Sequence, residues 1–460
     1  MRRVTQASRL SGKKNVMLSM TCCIAFLKQL RRSPGPPPGR NGRRAKFVRV
    51  CRARSRWPAR PPAATFAALA ADTVPRSFAF KRTLLTLGWL LLAIACEQVP
   101  AGAFWPVVFG ALTTPLALLL TALLTLYWLR RRWQVALLPI TVLALTWPHV
   151  QRGLALHPLA ALRPALRPQT LALPDGRRLT SNFLVAPARA VSLLSANVRI
   201  FNVYAQLRDP GFVSSKGLIH WLADSPADVL CLQEYYNEPQ GSKEDGRVFR
   251  TEEALGRASG RHSFVSTTLT NGIGAEFGMA IFSRFLIVRR GVIPFGKLTQ
   301  NHAMWADLAR ATDTIRVFNV HFQSMSMAES DIATATASRA GLRQKAPNLL
   351  RRFRNGAVAR GRQIDSVMAH VRRSPYPVLL AGDLNDLPYS YSYDQLADHL
   401  QNAWASTGLG IGATYHGRLP LLRIDQQFAA PRWQVLGCRV HREILWSDHF
   451  PVEGLYELRR

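Results

Sequence analysis

Positions 104–129 hold 26 consecutive residues without a charged side chain. Such a run constrains the fold strongly, because about 20 apolar residues already cross the ~30 Å hydrocarbon layer of a bilayer. Two apolar segments flank it, 133–150 with 18 uncharged residues and 84–96 with 13 before Glu97. The two longer segments predict spanning helices. The short one spans only if its helix extends past the uncharged stretch or the bilayer thins locally. Charge decides between two spans and three: Arg130-Arg131-Arg132 and the basic stretch before residue 83 both favour the cytoplasmic face. Two spans would part them, whereas three keep them together. Trp105, Tyr127, Trp128, Trp133 and Trp147 stand near the segment ends, where an interfacial aromatic belt belongs. The expectation is a multi-pass membrane region of about three helices over 83–150, with everything after residue 150 on the extracytoplasmic side. A buried helical hairpin in a soluble domain is the competing reading.

The charge is uneven. Of 60 basic and 27 acidic residues, 20 basic and one acidic, Asp72, fall within positions 1–82. That stretch is rich in Arg and Pro, as in Arg31-Arg32-Ser33-Pro34-Gly35-Pro36-Pro37-Pro38-Gly39-Arg40, and has no sustained apolar period, so it should be disordered. Two readings stay open for it: a polybasic arm for anionic lipid or nucleic acid, or a stretch upstream of the translation start. The apolar run 17–27 lacks a small-residue cleavage site and does not read as a cleaved signal peptide. Beyond residue 96 the cysteines are Cys231 and Cys438, neither in a CxxC pair, so no disulfide framework or zinc site is indicated.

Positions 151–189, with Pro158, Pro164, Pro168, Pro174 and Pro187, read as a connector running over the surface. From about 190 strands and helices alternate. Strands are expected at 191–198, 228–233, 278–283, 304–308, 314–322, 378–386, 424–428, Trp433–Val440 and Val452–Leu458, and helices at 217–223, 358–371 and 393–404. This predicts one α/β domain over 190–460 with helices covering sheets.

The chemistry gathers around Val378-Leu379-Leu380-Ala381-Gly382-Asp383-Leu384-Asn385-Asp386. Four apolar residues suit a strand covered on both faces, Gly382 allows a sharp exit, and Asp383 and Asn385 project to the same side. An Asx-rich turn after a core strand would look the same. What shifts the balance is repetition: Asn197, Glu234, His321, Asp383, Asn385, Asp425, Asp448 and His449 all stand where apolar strands stop. These are the side chains that oxygen-ligated Mg²⁺ and phosphoryl transfer require.

In order along the chain, Ser195-Ala196-Asn197-Val198, Leu232-Gln233-Glu234, Asn319-Val320-His321-Phe322, Gly382-Asp383-Leu384-Asn385, Arg423-Ile424-Asp425 and Ser447-Asp448-His449 resemble the motif series of the endonuclease/exonuclease/phosphatase (DNase I-like) family. The resemblance implies a four-layered α/β sandwich, here preceded by a transmembrane helical region, and metal-dependent cleavage of phosphoesters by in-line attack of water. It implies Mg²⁺, with Mn²⁺ as an alternative, ligated by Glu234, with Asn197 completing or supporting the coordination and Asp448 joining a second ion. Asp383 would hold or deprotonate the water, Asn385 orient phosphoryl oxygens, His321 donate to a non-bridging oxygen, and His449, fixed by Asp425, act as acid or hydrogen-bond donor. Gln426, where an aromatic or His is common, and Leu286, where Pro is common, depart from the pattern.

The substrate stays open. A net positive charge beyond residue 82 and the basic stretch 345–362 favour a nuclease. Tethering to a bilayer favours a phospholipid head group or an inositol phosphate. A non-catalytic binding module is the third class, disfavoured because every catalytic position is filled.

Overall fold

The computed structural model describes residues 78–459, apart from 163, 173–175, 177, 242–246, 297–298, 325–338 and 418–420. Positions 1–77 of the basic arm lie outside the described residues.

Helix α1 (Phe78–Glu97) starts before the expected end of the arm and takes in Lys81 and Arg82. The 26-residue apolar run does not form one helix. It divides into α2 (Val107–Leu112) and α3 (Thr114–Arg131), because Pro115 fits the first turn of a new helix and not the interior of a continuing one. A third segment gives α4 (Trp133–Leu145) and α5 (Trp147–Gly153), bent by 65° where Pro148 opens the second piece. Among the described residues one helix, α1, is long and apolar enough to cross a membrane, or two if the bent α4–α5 pair counts as one span. Of the three expected segments, α1 meets that measure as a single helix and 133–150 only as a bent pair, while 104–129 is divided between α2 and α3.

Several polar groups inside this helical region pair within it. Trp128 Nε1 donates to Thr83 Oγ1 and Trp89 Nε1 to Thr113 Oγ1, both at 2.8 Å. Thr83, Thr121 and Thr125 each donate to the carbonyl four residues back. Glu97, fully buried, accepts from Thr114 Oγ1 at 2.8 Å and from Arg152 at 3.0 Å. The outward faces are apolar: Leu85, Leu92, Leu119, Leu126 and Leu145 are all at least half exposed.

The expected connector carries regular structure of its own. Within it β1 (Leu166–Ala172) and β2 (Arg178–Leu184) form an antiparallel hairpin that packs on the main domain, with Phe183 stacked on Trp221 at 5.3 Å.

The remainder builds two six-stranded sheets. One runs β13 (Trp433–Val440), β14 (Val452–Leu458), β3 (Ala190–Asn197), β4 (Val229–Asn237), β6 (Glu276–Ser283), β5 (His262–Thr270). The other runs β11 (Gln401–Asn402), β12 (Asp425–Ala429), β10 (Val378–Asp383), β9 (Asp313–His321), β8 (His302–Arg310), β7 (Leu286–Pro294). The central pairs β3–β4 and β9–β10 are parallel, and such strands, covered on both faces, read as continuous apolar runs. Leu193, Val229, Ile281, Leu308, Val317 and Leu379 interdigitate between the sheets, each worth about 1.5–3 kcal/mol of burial. Helix α6 (Val213–Asp224) covers the outer face of the first sheet through Leu218, Trp221 and Leu222. Helices α7 (Arg339–Arg372) and α8 (Tyr391–Ala397) cover the second through Ile364, Val367, Met368, Tyr393 and Leu396. The result is the expected four-layered α/β sandwich.

Two polar ties cross between the sheets. Gln233 donates to Asn319 Oδ1 at 2.6 Å, and Gln427 donates to the carbonyls of Leu193 and Val452. Because a buried amide without a partner costs roughly 1–3 kcal/mol, these pairs fix how the sheets sit on each other just below the strand ends.

Candidate active site

Strand register sets the first row of the site. Across the second sheet His321 of β9 lies opposite Asp383 of β10, and Asp383 lies opposite Asp425 of β12. Three functional side chains are thereby aligned by backbone hydrogen bonding alone. Gly382 makes the close approach possible: its φ is 146°, and a Cβ there would stand 2.0 Å from Val320 O. Asn385 then turns the chain with φ 49°, a left-handed conformation that Asn tolerates. Ion pairing of Arg360 with Asp386 at 3.1 Å holds the loop that follows.

Asn197 and Glu234 come from the first sheet. Glu234 was expected just past a strand, but β4 continues through it to Asn237, with a β-bulge between Leu232 and Tyr235. The bulge gives Glu234 a φ of 49° and turns a side chain out of the ladder toward the other sheet.

The carboxylate of Asp383 is the hub. Its Oδ2 accepts from Asn197 Nδ2 at 3.2 Å and from Asn385 Nδ2 at 3.2 Å, and its Oδ1 accepts from Asn385 N–H at 2.8 Å. The same Asn197 amide donates to Glu234 Oε1 at 3.0 Å. Around Asp383 Oδ2 stand two imidazoles, His321 Nε2 at 3.8 Å and His449 Nε2 at 3.9 Å. His321 Nε2 is also 3.8 Å from Glu234 Oε1. Separations of this size leave room for an oxygen atom within hydrogen-bond reach of both groups.

His449 is held from behind. Its Nδ1 lies 2.9 Å from Asp425 Oδ2 and 3.1 Å from Oδ1, its N–H donates to Ser447 Oγ at 3.2 Å, and Tyr415 packs edge-on against the ring at 5.3 Å. Asp425 N–H donates to Thr414 Oγ1, and Ser447 Oγ donates to Asn197 O, so both partners are tied to neighbouring segments.

Electrostatics divide the two histidines. Burial works against a charged ring at His449, but the carboxylates of Asp425 and Asp383 outweigh it and push the ring up to about 10, making it an imidazolium. Burial dominates at His321 and holds it below its usual value, so that ring is neutral at pH 7. Burial first, then the Asp425 charge, raises Asp383 to about 6, with His449 pulling the other way.

All eight expected residues meet at this edge, with two refinements. Asn385 has both amide hydrogens engaged, on Phe322 O at 2.9 Å and on Asp383, so as placed it orients Asp383 and not a phosphoryl group. Asn197 Oδ1 accepts from Arg199 N–H at 3.1 Å while its Nδ2 serves Glu234 and Asp383, so as placed Asn197 supports the carboxylates and keeps one lone pair of Oδ1 for a ligand. Asp448 stands at the rim, 28% exposed at its side chain and 3.4 Å from Arg199 Nε. Sequence reasoning did not single out Arg199 or Tyr415. Arg199 opens a run of left-handed residues through Asn202 just after Asn197, and no local pattern in the sequence announces that turn. Gln426 is structural, donating to Arg423 O and accepting from Asn402, and Leu286 simply begins the edge strand β7.

The donor set fits a hard divalent cation. Glu234, Asp383, Asp425 and Asp448 all stand at this edge, and carboxylate oxygens are the donors that such an ion prefers. Among the described residues Asp383, Asp425 and His449 lie close enough to share an ion, but a protonated His449 offers no lone pair. Glu234, 40% exposed at its side chain and facing His321 and Asp383, is the better placed ligand. A second cluster, Glu97, His149 and Asp394, surrounds the guanidinium of Arg152, which lies 3.0 Å from Glu97 and 2.8 Å from Asp394. That cation already supplies the positive charge, and the cluster ties α1 and α5 to α8.

A profile of the endonuclease/exonuclease/phosphatase family matches residues 195–449, and one for a domain of unknown function (DUF8431) matches residues 76–153. No curated protein matches the chain. Among solved structures it is similar to an endonuclease/exonuclease/phosphatase from Beutenbergia cavernae, at 22% identity over 59% of this chain and 72% of that one with a TM-score of 0.42. It is also similar to the human Nocturnin catalytic domain, at 15% identity over 60% and 96% with a TM-score of 0.42. A third is a humanized zebrafish (D. rerio) TDP2, at 16% identity over 59% and 100% with a TM-score of 0.40. The family profile covers more than half of the sequence, from the motif that carries Asn197 to the one that ends in His449, and the chain belongs to the endonuclease/exonuclease/phosphatase family.

Proposed function

We propose that this protein is a membrane-anchored phosphoester hydrolase that works with Mg²⁺ or Mn²⁺. The observation that carries the reading is the arrangement around Asp383 Oδ2, a buried carboxylate facing two imidazoles across gaps of 3.8 and 3.9 Å. When bound, the cation supplies Lewis-acid polarisation of the phosphoryl group and offsets its charge. Glu234, positioned by Asn197, would hold it. Asp383, fixed by three hydrogen bonds, takes the proton of the attacking water. His449 donates from Nε2 to the charge that develops on the opposite side, while Asp425 keeps its ring charged and oriented. His321 donates to a non-bridging oxygen.

Two surroundings bear on the substrate. The net positive charge suits a nuclease-like activity on phosphodiesters. A lipid head group is favoured by the placement of the basic helix α7 against the apolar helices: Phe353 stacks on Phe109 at 5.2 Å, and Arg354 lies over Trp105 at 6.0 Å. Exposed Arg351 and Arg354 would then face anionic head groups at a bilayer surface. Anchoring itself is supported by the outward apolar faces of α1, α3 and α4, and the reading places residues 151–460 on the extracytoplasmic side.

The test is turnover by purified full-length protein in detergent with Mg²⁺, against p-nitrophenyl ethyl phosphate, plasmid DNA, RNA, phospholipids and inositol phosphates, with Asp383→Asn as the blank. Hydrolysis of at least one by the native chain and none by the variant is expected. Equal rates for the two proteins would overturn the assignment.

A further inference from the structure

A cavity of about 580 Å³ lies between the apolar helices and the catalytic domain. Leu118 and Ala122 of α3 and Trp147 of α5 form one wall; Leu387, Leu422 and Arg423 from the two loops beside the catalytic centre form the other. Its size falls within the ~300–1,000 Å³ of sites that hold small molecules. The wall is apolar except at Arg423.

Arg423 is the second observation. It is 2% exposed and donates to the carbonyls of Ile411, at 2.9 Å, and Arg152, yet its Nε has no hydrogen-bond partner. No carboxylate contacts it among the described residues. A buried guanidinium with no carboxylate beside it is costly, and as the charged group of the cavity lining it favours a ligand that brings a negative charge to that wall. The chain then links the cavity to the chemistry at both loops. Leu387 follows Asn385 by two positions, Arg423 precedes Asp425 by two, and Leu384 N–H donates to Ile424 O at 2.9 Å between them. On its outer side the cavity is bordered by exposed apolar side chains, Leu119 at 56% and Leu421 at 62%, continuous with the apolar face of α3.

From these we infer that the cavity receives the hydrocarbon tail of an amphiphilic phosphoester, with Arg423 meeting its polar neck and the phosphorus carried to Asp383 and His449. The inference rests on the phosphoesterase reading above. It makes the substrate a membrane lipid drawn from the bilayer side, with the helical region acting as part of the substrate site as well as an anchor. Gly153 helps seal the inner end, since a Cβ there would stand 2.1 Å from the Tyr389 hydroxyl.

The experiment compares p-nitrophenyl hexadecyl phosphate with p-nitrophenyl ethyl phosphate, two diesters that share a chromogenic leaving group and differ in the chain. Full-length protein in detergent is used, with Ala122→Trp and Leu422→Trp filling the cavity from opposite walls and thermal melts recorded for each. The native kcat/KM ratio of hexadecyl to ethyl ester should be at least tenfold, and either filled variant should lower that ratio at least tenfold. A native ratio near one, or a ratio unmoved in variants that melt normally, overturns the inference. Binding of hexadecyl phosphate is read separately by native mass spectrometry, expected as a one-to-one adduct lost in both variants. If the native chain hydrolyses neither ester, the phosphoesterase reading fails, and the adduct alone then judges the cavity. An adduct equally abundant in native and filled proteins rejects it.

Discussion

Asp425→Asn is nearly isosteric and removes one charge from behind His449. The contact it weakens is short, 2.9 Å from His449 Nδ1 to Asp425 Oδ2, and both side chains are buried, so solvent screens it little. A hydrogen bond to a charged group in such surroundings is worth roughly 1.5–3 kcal/mol. At about 1.4 kcal/mol per tenfold, kcat should fall about 10–10²-fold if the whole interaction is felt in the transition state. His449→Ala removes the donor itself and should cost about 10²-fold or more. Because Asp425 acts through His449, the double variant should be scarcely slower than His449→Ala alone. The assay is kcat on p-nitrophenyl ethyl phosphate at saturating Mg²⁺, with melting curves to confirm that each variant folds. If the two losses multiply in the double variant, the residues act separately. Asp425 is then an anchor of β12, which its backbone bond to Thr414 would explain.

Four further outcomes are expected. EDTA should abolish activity, with Mg²⁺ or Mn²⁺ restoring it; survival in EDTA, or rescue by Zn²⁺ alone, contradicts the oxygen-ligand reading of Glu234 and Asp383. Alkaline phosphatase fused at residue 200 should be active and a fluorescent reporter there dark; the reverse pattern places the catalytic domain in the cytoplasm. Gly382→Ala should destabilise the fold by about 1–3 kcal/mol or more, since Val320 O occupies the space of a Cβ; an unchanged melting temperature counts against that packing. His441 is buried with Glu443 and Glu453 each at 3.1 Å, and burial opposes its charge less than these carboxylates favour it, so its folded pKa is raised. Its contribution is therefore full below about 6.5 and is lost as pH rises through the raised value. At Glu443 burial is outweighed by the His441 hydrogen bond, which takes it from 4.5 to about 2, a contribution present above 4.5 and lost as pH falls through about 2. His441→Ala should thus cost about 3–5 kcal/mol near pH 6 and clearly less at pH 9. A cost independent of pH would show that the ring serves as packing only.

The sequence by itself determined the strands that build the centre of each sheet and the polar residues that end them. Buried parallel strands need apolar runs, so the strand at 191–198 and the one opened by 378–381 are visible as such, and the polar side chain after each run stands at the sheet edge. It did not reveal β5 and β7: both are edge strands largely open on one face, and their residues carry no sustained apolar pattern. The apolar content of 104–129 was equally plain, but where the helix breaks depended on Pro115 and on packing against α1. The pairing of His449 with Asp425 was implied by the family resemblance, but the tertiary structure decided how the histidines and carboxylates are arranged. His321, Asp383 and Asp425 are neighbours through strand register, and His449 reaches Asp425 across 24 residues of chain. The bulge that swings Glu234 toward Asp383, and the meeting of Arg152 with Glu97 and Asp394, also arise where distant segments are forced together. Periodicity records how one element faces a core, whereas pairing between elements is fixed by the closing of the whole sandwich, and the chemistry of this chain lies in those pairings.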